Sequence, residues 1–281
     1  MKTHLDCFPC LITQALNTAR MVTSEKEKIH KVLKDTCLFL PTLPLDVTPS
    51  EFGREVYGIV SRVSGIKDPF QDLKKQHTKQ ALQLYPKMKQ LIQHSDDPLL
   101  TAIRVSIAGN VIDFGTTAEF DMEKDLAVIL KMDFAIDHYL AFCKALNEAD
   151  KILFIGDNAG ETVFDRLLIE ELGKPVTYAV RERPIINDAI FEDAVEAGID
   201  KVAEILSSGC DAPGCLLRLC SDEFLKLYNS SDLIISKGQG NYEGLSDEKR
   251  PIFFLLKAKC AVVASDIGVK EGSIILKKAN I

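Results

Sequence analysis

Three short segments of this chain gather oxygen donors, cations and glycines in a way that suits phosphate chemistry. They are Gly156-Asp157-Asn158-Ala159-Gly160-Glu161, the stretch from Arg181 to Asn187-Asp188, and Lys237-Gly238-Gln239-Gly240-Asn241-Tyr242-Glu243. Asp157, Asn158 and Asp188 supply hard oxygen ligands of the kind Mg²⁺ or a similar cation takes. Arg181, Lys237 and the backbone N–H groups of a glycine-rich turn offset negative charge. Phosphate-ester hydrolysis needs both parts: carboxylates hold the metal, the metal bridges to phosphate oxygens, and the cations neutralise what remains. Taken alone, the first segment also reads as a strand-to-helix turn with Asp157 or Asn158 as a helix cap. Repetition of the device downstream is what favours the chemical reading.

Each segment is delivered by a short apolar run. Lys151 to Ile155, Pro175 to Val180 and Asp232 to Ser236 read as strands, and their near-continuous apolarity marks a parallel sheet buried on both faces. Thr162 to Leu172 and Ala189 to Ala197 read as helices, the second stopped by Gly198. Right-handed crossovers then put all three loops on one edge of the sheet, at the carboxyl ends of the strands where open α/β sheets bind ligands.

Before Lys151 the pattern is helical. Ser24 with Glu27 forms a capping box ahead of Lys28 to Phe39, and Thr48-Pro49-Ser50-Glu51 opens another helix. Asp68-Pro69 and Asp97-Pro98 start amphipathic runs reaching about His94 and then Asn110, and a further helical stretch covers roughly Glu123 to Glu148. The expected fold class is α/β. Residues 150–281 form a Rossmann-like, mainly parallel sheet flanked by helices, and residues 1–149 an all-helical subdomain. Within the helical part, Asn110 and Asp113 stand three apart, on one face if helical, between Gly109 and Gly115. They either point into the site or simply end a helix, with Gly115 as its stop.

With 281 residues, 46% of them hydrophobic, the chain can bury a large core. Its formal charge of −7, without a basic stripe, argues against non-specific nucleic-acid binding. The first residues lack the apolar core of a signal peptide, and no apolar run approaches membrane-spanning length, so a cytoplasmic protein is expected. The five histidines fall singly and read as surface or packing residues. Among eight cysteines, Cys7-Phe8-Pro9-Cys10 is a CxxC that opens a helical region, and Cys210, Cys215 and Cys220 form a looser group. Zinc-ribbon spacing is absent, which leaves buried structural thiols, or a disulfide or metal pairing of Cys7 with Cys10.

Taken in order, the three segments, together with Asn110-x-x-Asp113-Phe114-Gly115, resemble the damage-control phosphatase family over the whole length. Cys7-x-x-Cys10 is similar to the start of its stand-alone prokaryotic branch, and Leu256-Lys257-Ala258-Lys259-Cys260 to its late strand. The resemblance implies a metal-dependent phosphatase acting on small phosphorylated metabolites such as sugar or cofactor phosphates. It implies a metal (Mg²⁺, Mn²⁺, Co²⁺ or Ni²⁺) on Asp157, Asn158 and Asp188, and a phosphate facing Lys237 and Asn241. The substrate contacts expected beside these are Arg181, Asn187, Gly238, Gly240 and Glu161, with Asn110 and Asp113 closing over the cleft. Asp188→Ala is expected to remove activity while nearly keeping stability.

Two other functions compete. An S-adenosylmethionine-dependent carboxyl methyltransferase would share the strand-loop-helix at Lys151 to Leu172, but Gly156-x-x-x-Gly160 lacks GxGxxG spacing, and such an enzyme needs no Lys-Gly-x-Gly-Asn loop. A non-catalytic metabolite sensor reporting redox state through Cys7 and Cys10 would bind without turnover.

Overall fold

Seven strands make one sheet: β1 (Phe134–Asp137), β2 (Ile152–Ile155), β3 (Val176–Val180), β4 (Glu204–Ser207), β5 (Leu233–Lys237), β6 (Ile252–Lys257) and β7 (Ile274–Ala279). The computed structural model describes residues 1–42, 44–111 and 128–279. Asp113 lies outside the described residues, as does the side chain of Asn110. The strand order is β1-β7-β6-β5-β2-β3-β4. Strands β2 to β6 are mutually parallel, β7 runs antiparallel to β6, and β1 pairs parallel with β7. The expected mainly parallel sheet is therefore present. Every residue of β2 and β5 is buried, as strands covered on both faces require.

This order reverses between β2 and β5. From β2 the chain moves outward through β3 and β4, then returns to the other side for β5 and β6. At this reversal the carboxyl ends of β2 and β5 mark the crevice in which open α/β sheets usually bind ligands.

Helices cover both faces. On one, α4 (Gln71–Gln93), α5 (Pro98–Val111), α6 (Tyr139–Glu148), α7 (Thr162–Leu172) and α8 (Phe191–Ala197) share a core in which Ile103 and Val105 meet Phe154, Leu167 and Ile235. On the other, α9 (Asp222–Ser230), α10 (Gly238–Leu245) and α11 (Ala261–Ile267) pack through Phe224, Tyr242 and Val263 on Ile234 and Phe254. The first helices, α1 (Cys7–Val22), α2 (Lys26–Phe39) and α3 (Pro49–Ser64), have their own core around Leu11, Val32, Phe52 and Val56. None of the described helices is long and apolar enough to cross a membrane.

Two local readings change. Residues 134–137, taken as helical from the sequence, form edge strand β1, and helix α6 starts only at Tyr139. Their burial alternates residue by residue, which fits period two, and β7 supplies the ladder partners a four-residue segment cannot supply itself. The capping box at Ser24 gives way to a start at Lys26, with Glu25 at the cap position.

Candidate functional site

The three loops meet because the backbone ties them together. An isolated antiparallel bridge joins Asn158 to Asp188. The Ala159 N–H donates to the Asn187 carbonyl at 2.9 Å, and the Ala189 N–H to the Asp157 carbonyl at 2.7 Å. Asp157, Asn158 and Asp188 are thereby held side by side at the ends of β2 and β3. The third loop closes on them at Gly238, whose φ is +76° and whose Cβ, if present, would stand 1.8 Å from Asp157 Oδ2. Only glycine fits a left-handed residue pressed against a carboxylate. Gly240 is pressed closely on the Pro213 carbonyl, which a Cβ would approach to 2.6 Å.

Side chains complete the junction. Arg181, 1% exposed, donates from Nε to Asp188 Oδ2 and from Nη2 to Asn241 Oδ1, each at 2.7 Å. The Asn241 amide donates to the carbonyls of Gly156 and Lys237 at 2.9 and 2.7 Å. Asn241 therefore fastens all three loops to one another. Arg181 Nη1 is buried with no hydrogen-bond acceptor, and Nη2 lies 4.0 Å from Asp157 Oδ1.

Lys237 sits deeper than its place in the motif suggests. It is fully buried, and its ammonium donates to Glu161, to Asp165 Oδ1 at 2.6 Å and to the Ser106 carbonyl at 3.1 Å. Three donors meet three acceptors. Asp165 also accepts from Ser106 Oγ and Tyr178 Oη at 2.7 and 2.8 Å. It escaped the sequence reading because a lone carboxylate inside an amphipathic helix resembles surface; its i,i+4 spacing from Glu161 was the available signal. Gly109 lets α5 come close, since a Cβ there would lie 2.7 Å from the Phe164 ring. That approach brings Ser106 to the lysine.

The electrostatics are those of crowded, buried carboxylates. Burial raises Asp157 well above the usual range, and Asp188 and Glu161 raise it further, against the opposing pull of Arg181 and Lys259. Asp188 is pushed up to about 6 by burial, in spite of Arg181. Burial likewise lifts Asp165 to about 6, although Lys237 pulls the other way. Lys237 keeps its proton, because Asp165 and Glu161 outweigh the cost of burial. A hard divalent cation suits such a place, since it relieves like-charge repulsion and prefers carboxylate and amide oxygen. Among the described residues no three His, Cys, Asp or Glu side chains form a metal-binding group. The donors at hand are two carboxylates and the Asn158 amide. The Asn158 amide nitrogen contacts Asp157 Oδ2 and Glu161 Oε2 at 3.1 and 3.2 Å, so offering its oxygen to a cation means turning the amide over.

Lys259, half-buried after β6, is a cation the sequence reading named only as part of a strand. Its charge opposes the rise of the Asp157 carboxyl. Cys7 and Cys10 of α1, remote in sequence, lie near Cys260 and Glu243, and burial pushes both thiols up. Gln239 Nε2 joins Glu243 Oε1 and Cys260 Sγ at 3.1 and 3.5 Å, while Ser50 of α3 donates to Glu243 Oε2 at 3.1 Å. All eight cysteines are free thiols.

An open α/β sheet carrying acidic, amide and cationic loops at its switch point defines a ligand-binding α/β protein. The family model of the damage-control phosphatase ARMT1-like domain matches residues 3–275. An uncharacterized protein of Methanocaldococcus jannaschii is 36% identical, with 99% of this chain and 96% of that protein covered. A damage-control phosphatase of Archaeoglobus fulgidus is 35% identical, with 99% of each covered. The crystal structure of a DUF89 family protein from Pyrococcus horikoshii has a TM-score of 0.91 at 32% identity, covering 99% of both chains. The chain belongs to the damage-control phosphatase ARMT1-like family, and that membership supports phosphatase activity.

Proposed function

We propose that the protein is a metal-dependent phosphomonoesterase acting on small phosphorylated metabolites, sugar or cofactor phosphates in kind, in the cytoplasm. The observation that carries this reading is the side-by-side placement of the buried carboxylates Asp157 and Asp188, tied by backbone hydrogen bonds between their loops and both facing the buried guanidinium of Arg181. Asp157, Asn158 and Asp188 would hold the cation, with Mg²⁺, Mn²⁺, Co²⁺ and Ni²⁺ all compatible with oxygen donors. When bound, such a cation neutralises charge on the phosphoryl group and polarises it.

The chain's own groups do the rest. The first turn of α10, at Gly238 to Gly240, presents backbone N–H groups with no partners inside the helix, and these fit phosphoryl oxygens. Arg181 has a spare Nη1 donor and stands between Asp157 and Asp188. Lys259 is the more available lysine for phosphate, whereas Lys237 orients Glu161, which in turn holds the Asn158 amide. Asn187 contributes through its carbonyl, which fixes Ala159. Asn110 and Asp113 are proposed, from the resemblance alone, to close over the site.

The test is hydrolysis of p-nitrophenyl phosphate by protein stripped with chelator and then resupplied with each cation in turn. Activity that vanishes with chelator and returns with metal is the expected result. Full turnover in the stripped protein would end the metal-dependent reading, and binding of phosphate esters without turnover would favour the sensor.

A further inference from the structure

Beside the crevice lies a hollow of about 540 Å³, bounded by α3 and by the loop that runs from Arg181 to Asp188. This volume suits a small metabolite. Four cations, Arg54, Arg62, Lys67 and Arg183, line it against two carboxylates, Glu55 and Asp211. That balance is positive on a chain whose formal charge is −7. Asp211 is already engaged by Arg54, at 2.6 and 2.9 Å from Nε and Nη2, and Arg183 Nε stands 3.6 Å away. Glu55 contacts the same Arg54 at 3.0 Å. The two carboxylates thus face Arg54 and Arg183, which leaves Arg62 and Lys67 as the excess charge. Arg62 folds back over Gly58, where a Cβ would lie 3.2 Å from its Nη1. Tyr57 and Phe70 form an aromatic wall, their ring centroids 6.4 Å apart and their planes at 78°.

The hollow is continuous with the catalytic loop. Ile185 and Ile186 line it, and the Ile185 carbonyl receives the Asp188 N–H at 3.1 Å. Ile186 has φ +41°, and is the one non-glycine residue among those described with positive φ. A β-branched residue held in that region is costly and persists where its surroundings enforce it. Tyr57, which lines the hollow and donates to Gln14 Oε1 at 2.7 Å, has its phenol raised by burial and further by Asp188. By contrast, a larger hollow of about 690 Å³ is lined by Gly173 to Pro175, ahead of β3 and so at the opposite edge of the sheet.

We infer that the basic hollow receives the organic part of the substrate and selects phosphomonoesters that carry a second anionic group there. This rests on the phosphatase reading above. The aromatic wall and the arginine-lysine pair accommodate a short carbon chain or ring ending in phosphate or carboxylate.

The experiment compares kcat/KM for matched esters: a hexose bisphosphate against the hexose monophosphate, and phosphoglycerate against glycerol phosphate. The doubly anionic member of at least one pair should be preferred by about tenfold or more, mainly through KM. A preference in the first pair alone assigns the second anion as phosphate, and in both pairs as either anion. The double variant Arg62→Ala/Lys67→Ala should bring the ratio close to one, while Arg62→Lys/Lys67→Arg should keep most of it. Raised salt should weaken the preference in the parent protein. Turnover of p-nitrophenyl phosphate with no preference in any pair overturns this inference and leaves the phosphatase reading standing. A preference that survives the alanine double variant also overturns it. Absence of turnover on every ester with every metal would remove the phosphatase reading and this inference with it.

Discussion

Gly238 and Asp157 are in such close register that a single methyl group on the glycine would stand 1.8 Å from the aspartate Oδ2. The first residue of α10 is therefore the surface against which the proposed metal ligand is set. Gly238→Ala should displace the carboxylate and also force a non-glycine residue to φ +76°, a strain of about 1 kcal/mol or more. Expected are a fall of roughly a hundredfold in kcat/KM and a lower Tm. Near-parental kinetics in a folded Gly238→Ala protein would show that the position of Asp157 is irrelevant to turnover.

Asp188 has two consequences that the sequence did not separate. From an apolar sheet alone, Asp188→Ala should be nearly neutral for stability. In the structure Asp188 is the 2.7 Å partner of a buried Arg181, and its removal leaves that guanidinium facing only Asn241 and the more distant Asp157. Breaking a buried pair from one side costs about 3–5 kcal/mol. Asp188→Ala should thus lose both activity and stability, whereas Asp188→Asn, which keeps a hydrogen-bond acceptor for Arg181, should lose activity with a smaller drop in Tm. Equal melting of the two variants would contradict this.

Two lysines divide in the opposite way. Lys237 is enclosed by Glu161, Asp165 and the Ser106 carbonyl, so Lys237→Met strands two buried carboxylates and should lower Tm by roughly 6–12 °C. Lys259 is half-buried, and its charge opposes the rise of the Asp157 carboxyl. Lys259→Ala should leave Tm within about 2 °C and lower kcat/KM by roughly tenfold or more. Should Lys259→Ala be kinetically silent, phosphate contact falls to Arg181 and the α10 backbone.

Much of this was legible in the sequence because it was local. Apolar runs of four to six residues announced β2, β3 and β5, and glycines beside Asp157 and Asn241 announced loops that approach closely. Long-range arrangement was not legible. β1 exists because β7 offers an open edge, and four residues carry no record of that partner. Lys237 looked like a phosphate ligand because its neighbours are glycines; Asp165, one helical turn beyond Glu161, and Ser106 from α5 enclose it instead. Lys259 and the Cys7, Cys10 and Cys260 group are brought to the site by folding over separations that no motif spacing encodes.

Glu243 gives the pH test. Burial raises its carboxyl to about 7, opposed by hydrogen bonds from Gln239 and Ser50 and by the terminal ammonium of Met1. An unfolded glutamate titrates near 4.3. The folded state therefore holds this proton more tightly, and the contribution to stability is complete below about pH 4 and lost as pH rises through about 7. Glu243→Gln keeps the shape and has nothing to ionise. Its stability relative to the parent should improve steadily between about pH 5 and 8, by roughly 2 kcal/mol or about 4–8 °C in Tm. Other titrating groups, the nearby Cys7 thiol included, are common to both proteins, so the difference between the two melting curves isolates Glu243. A constant difference across that range would mean that the carboxyl titrates like an exposed one, and that its contacts with Ser50 and Gln239 do not bury it.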